Sequence, residues 1–155
     1  SPAWPLPKPL SKTPKNNPKI MILTGLNRYR EFGLLILRVG IGILMILHGW
    51  PKLVGGAAVW TKVGEAMQFL GVGIFPVFWG FMAAFSEAVG GALLVLGFYF
   101  RPATALMFFT MLVATIMMYR TGGGDFMKWS EPAEMAVVFL GLFFIGAGKF
   151  SLDRA

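Results

Sequence analysis

Long stretches of this chain carry almost no charge, and that feature restricts its fold more than any other. Lys and Arg number 14 and Asp and Glu 7 in 155 residues. Seven of those 14 basic residues fall before position 40. The result is a chain that is 56% hydrophobic and 14% charged, with a mean hydropathy of +0.68. A soluble domain carries about 25% charged residues. Four apolar runs, about 32–50, 75–100, 103–119 and 132–148, are each apolar around the whole helical circumference. Runs of ~20 such residues span a bilayer as helices, which satisfy their own backbone hydrogen bonds. The expected fold is all-α, a membrane-spanning antiparallel four-helix bundle occupying residues 32–155.

The segment before the bundle has a different composition. Residues 1–31 hold Pro2, Pro5, Pro7, Pro9, Pro14 and Pro18 interleaved with Lys8, Lys12, Lys15 and Lys19. Proline fixes φ and removes backbone donors, so residues 1–20 are expected to be an extended Pro/Lys-rich tail. Residues 20–30 then form a short interfacial helical segment. Trp4 and Leu6 would anchor the tail if it straps onto a partner protein. The chain opens on Ser1 rather than Met, so a residue or segment is expected ahead of it, and no secretory signal is visible.

Charge placement gives an orientation. With four spans the termini share one side. That side carries Lys8, Lys12, Lys15, Lys19, Arg28, Arg30, Arg101, Lys149 and Arg154, against Lys52, Lys62, Arg120 and Lys128 opposite. The positive-inside rule then places both termini in the cytoplasm of a multi-pass inner-membrane protein. The net charge of +7 thus reads as a topology signal and lipid contact, with no nucleic-acid partner. There is no cysteine, which excludes disulfides, thiolate catalysis and iron–sulfur ligation. The single histidine excludes paired histidine haem ligation within the chain, and no set of residues at metal-ligand spacing is present.

Ionisable residues inside spans require partners or water. Arg38, His48 and Lys52 fall within ~80° of one another on the first helix, on a stripe with Gly42, Met45 and Gly49. Glu87 lies near the middle of the second span, and Arg38 is its best-placed partner. At the opposite face, Glu134 opens the fourth span at the depth of His48 and Lys52, suggesting a second polar cluster there. Arg38, His48, Lys52, Glu87, Arg101 and Glu134 are therefore the candidate buried polar residues, as a quinone or proton site or as pairs that fix helix register.

Several patterns coincide in order: Leu37-Arg38, His48-Gly49-x-x-Lys52, Glu87-x-x-Gly90-Gly91, Arg101-Pro102, and the ending Gly146-Ala147-Gly148-Lys149-Phe150-Ser151-Leu152-Asp153. Over about residues 33–153 the chain resembles the DoxX family of small four-helix membrane proteins. The resemblance implies a subunit near quinone-linked electron transfer, because the family includes relatives of the thiosulfate:quinone oxidoreductase membrane subunit. Two functions follow as expectations. One is a non-catalytic accessory subunit of a bacterial respiratory or photosynthetic electron-transfer complex. It would touch other membrane subunits and lipid, and hold no cofactor of its own. The alternative is a quinone-binding membrane subunit of an oxidoreductase, with quinone at a shared site. A small transporter gated by Glu87 is a third reading, disfavoured by the lack of a visible repeat or broken helix.

Overall fold

The structure is a computed structural model in which residues 25–153 are described. The chain divides into two units, residues 1–30 and 31–155. Of the first, the described part is a 3-10 turn, Gly25–Tyr29, where Arg28 donates to the Tyr29 hydroxyl at 3.0 Å. The expected extended tail lies outside the described residues.

Every regular element among the described residues is helical. We label them α1 (Arg30–Val54), α2 (Gly56–Gly64), α3 (Pro76–Leu96), α4 (Phe100–Thr121) and α5 (Phe126–Ile145). A 3-10 stretch, Glu65–Leu70, follows α2. Four helices are long, and their sequences explain where they end. Helix α1 does not stop at Pro51, as a helix-breaking proline suggests, but continues to Val54. Proline removes one donor and crowds the preceding turn, and α1 absorbs that one defect before ending at Gly55-Gly56. Gly56 sits at φ 76°, where a side chain would be strained. Helix α3 opens with Pro76 in its first turn and closes on Gly97 at φ 64°. Helix α5 starts six residues before Pro132, capped by Asp125, whose Oδ1 accepts from the Met127 amide at 3.1 Å. Pro132 is thus inside the helix rather than at its first turn.

Small residues let the helices approach closely. A Cβ on Gly42 would lie 2.7 Å from the Gly91 carbonyl oxygen, and one on Gly49 would meet Glu87 and Ala88. Residues rising along α1 therefore meet residues falling along α3, and the two run antiparallel. Gly64 of α2 sits on the Pro76 carbonyl, and Gly80 of α3 on the Trp60 carbonyl. One core cluster joins all four long helices: Met45 of α1, Leu94 of α3, Phe100, Met107 and Met111 of α4, and Ala136, Phe139 and Leu142 of α5.

The outer surface is apolar. Phe75, Phe144 and Val137 are 72%, 72% and 71% exposed, an arrangement suited to hydrocarbon and unfavourable in water. Gly25–Val54, Pro76–Leu96 and Phe100–Thr121 are long and apolar enough to cross a membrane. Helix α5 has 20 residues but carries Lys128, Glu131 and Glu134 in its first half, and falls outside that group.

Candidate functional site

Glu87 sits midway along α3, only 4% exposed. Its partner is Lys52, whose ammonium donates to both carboxylate oxygens at 2.8 and 2.6 Å. This is the only ion pair among the described residues. The local fold makes it possible. Gly49 presses onto Ala88 and Glu87, so the last turn of α1 lies beside the carboxylate. The continuation of α1 through Pro51 then presents Lys52 there. Helix α2 returns to brace this end, with the Trp60 indole donating to the Lys52 carbonyl at 2.9 Å. The Trp60 ring meets Phe81 edge-on, centroids 5.1 Å apart.

The pair lines a cavity of about 620 Å³ between the α2 to 3-10 segment, α3 and α4. Its walls are Met67, Trp79, Met82, Phe109, Val113 and Met117, and Lys62 of α2 joins Lys52 and Glu87 as its charged lining. Thr110 also lines it, its hydroxyl bonded to that of buried Ser86 at 3.1 Å. A mostly apolar cavity with a few convergent polar groups has the character of a small-molecule site, for which volumes run about 300–1,000 Å³. An ammonium has three donors. Two point at Glu87, leaving one donor and the carboxylate lone pairs to meet a polar group on a ligand. Methionine walls adapt to irregular shapes. No group of three or more His, Asp or Glu residues able to hold a metal is present among the described residues.

Arg38 does not meet Glu87, contrary to expectation. It is 2% exposed, and its guanidinium donates to the carbonyl oxygens of Ala147, at 2.8 Å, and Phe150. The segment after α5 folds back over the end of the bundle, where Leu152 and Asp153 amides bond the Leu96 and Gly97 carbonyls at 3.3 and 2.8 Å. Asp153 accepts from the Phe100 amide and Glu31 from the Lys149 amide, both at 2.8 Å. Gly97 has no room for a side chain, because a Cβ there would strike the Arg38 guanidinium. Arg38 therefore fastens the chain end.

Three further expectations fail. His48, Arg101 and Glu134 are exposed rather than buried. The Nδ1 of His48 lies 3.0 Å from the Leu44 carbonyl, within its own helix, and neither His48 nor Lys52 pairs with Glu134. The outer polar cluster does not form, because Lys52 is turned inward to Glu87. Sequence reasoning missed Trp60, Lys62 and Thr110. The signal available for the first two was Gly64 and Gly80, small residues flanking a short apolar stretch able to pack closely on α3.

Comparisons with known proteins give the chain a family. The family model for DoxX matches residues 33–120. The inner membrane protein YphA of Escherichia coli (strain K12) is 30% identical over 140 residues, covering 82% of this chain and 96% of the relative. An uncharacterized protein of Haemophilus influenzae is 29% identical over 141 residues, covering 85% and 96%. No solved structure matches. With more than half of its length matched by the family and four-fifths by the E. coli protein, the chain is a membrane protein of the DoxX family.

Proposed function

We propose that this protein is a bacterial inner-membrane subunit that binds a quinone-type ring in the cavity beside Lys52 and Glu87. The observation carrying the reading is the cavity itself: about 620 Å³, mostly apolar, walled by the α2 to 3-10 segment, α3 and α4, with the Lys52–Glu87 ion pair in its lining. A quinone offers a flat apolar ring for the Met and aromatic walls and two carbonyl oxygens for a donor. Lys52 supplies the donor. The Glu87 carboxylate holds the ammonium in place, and the ammonium can pass a proton to the ring oxygen as it gains charge. Reduction of a quinone to a quinol takes two electrons and two protons, and the electrons come from a redox partner subunit.

The name of the E. coli relative, an inner membrane protein, supports that location. Four crossings with both termini cytoplasmic suit the nine basic residues on that side against four on the other. At 1.5 Å per residue, α5 is ~30 Å long, enough to span. A purely accessory role needs no cavity, which is why the quinone reading takes precedence over it.

Titrating a short-chain quinone into the protein in lipid nanodiscs, with tryptophan fluorescence as the readout, tests this. Trp60 and Trp79 lie at the site, so saturable quenching is expected, weakened at least about tenfold by Lys52→Met or Glu87→Leu. Quenching that never saturates, or that both variants leave unchanged, rejects the cavity and restores the accessory role.

A further inference from the structure

A second cavity, of about 960 Å³, lies at the other end of the bundle, where α4 begins and α5 ends. It is lined by four charged residues of two kinds: Glu31 and Asp153, Arg101 and Lys149. Opposite charges in one cleft normally pair. Here they do not, since neither Arg101 nor Lys149 is in an ion pair among the described residues. Each carboxylate instead gives one oxygen to a backbone amide, Glu31 to that of Lys149 and Asp153 to that of Phe100. The amide opening α4 is therefore satisfied from within the chain, and the two cations are left facing the cleft.

Position adds to this. Arg101 lies over Gly146, where a Cβ would approach its guanidinium to 3.9 Å, and Gly146 holds φ 85°. The residue there thus has no side chain to fill the space beneath the guanidinium. Helix ends bearing Tyr99, Pro102 and Ile145 complete the rim. Such an end lies at headgroup depth if the helices cross the bilayer, with apolar wall on one side and charge on the other.

We infer that this cleft binds a phosphate group, held by Arg101 and Lys149 and supplied by a phospholipid headgroup or by free phosphate. Arginine presents a planar fork that matches phosphate oxygens, and lysine adds a mobile point charge. The remaining oxygens of Glu31 and Asp153 can receive an ammonium, so a zwitterionic phosphoethanolamine headgroup uses all four charges. The site is separate from the Lys52–Glu87 cavity and does not depend on what binds there.

Native mass spectrometry of the full chain released from nanodiscs tests the assignment. Discs of phosphatidylethanolamine, of phosphatidylglycerol, and of either with excess inorganic phosphate are compared. The wild type is expected to keep one phospholipid after the others are stripped. Arg101→Gln with Lys149→Gln should lower the retained fraction about tenfold, while Arg101→Lys with Lys149→Arg keeps most of it. Both positions are exposed, and an unchanged melting midpoint confirms that the variants fold. Displacement by inorganic phosphate identifies the free ion as the source, and resistance to it the lipid. Equal retention by wild type and the double Gln variant overturns the site.

Discussion

Replacing Lys52 by Met leaves a buried carboxylate without its cation, and the size of the penalty follows from the geometry. Glu87 is 4% exposed and receives both of its observed hydrogen bonds from Lys52. Deleting one partner of a buried pair costs about 3–5 kcal/mol. The Lys52 side chain is 35% exposed, so water already screens part of the interaction, and a loss of about 2–3 kcal/mol is expected. For a chain of this size that lowers the melting midpoint by about 4–12 °C. The double variant Lys52→Met, Glu87→Leu removes both charges and should recover to within ~1 kcal/mol of wild type. Thermal unfolding of the four corners of this cycle in detergent micelles measures the coupling. Lys62→Met, at an exposed position, is the control and should change stability by less than ~0.5 kcal/mol. A Lys52→Met penalty no larger than the control, or a double variant as unstable as the two single losses added together, refutes the buried pair.

Other substitutions separate packing from chemistry. Arg38→Met frees the Ala147 and Phe150 carbonyls and should destabilise by about 2–4 kcal/mol, with faster proteolytic trimming after Ile145 as the check. Gly64→Ala and Gly80→Ala drive a methyl into backbone of the neighbouring helix and should each cost at least about 1–3 kcal/mol in a melting assay. Gly40→Ala, where nothing lies within 4 Å, should be neutral or stabilising by up to ~1 kcal/mol. His48→Phe should leave both stability and quinone quenching unchanged, because the ring is exposed and bonded only within α1; loss of quenching in that variant would return His48 to the site.

The helical character and the need for partners around Arg38 and Glu87 were legible in the sequence, since hydropathy and intramembrane charge are local properties. The identity of the partners was not. The sequence pairs Arg38 with Glu87 because both are expected in the cytoplasmic half of their spans. That matching ignores main-chain carbonyls, and Arg38 uses those of Ala147 and Phe150. Lys52 was placed at the outer face because Pro51 reads as a stop. The helix persists through the proline, and the close approach of Gly49 to Ala88 sets Lys52 against the middle of α3. Helix α2 was invisible for another reason. Its nine residues are too few to register as a span, and its order comes from packing Gly64 and Trp60 onto α3 rather than from any propensity of its own. The cavity depends on α2, so it could not be read ahead of the structure.

Photoaffinity labelling with a diazirine-bearing quinone, followed by peptide mapping of the membrane-embedded protein, tests the cavity assignment most directly. Adducts are expected on Met67, Trp79, Met82 or Met117, protected by excess unlabelled quinone and lost in Glu87→Leu. Labelling confined to the outward faces of α1 or α5, or spread without protection over every lipid-facing residue, would contradict it.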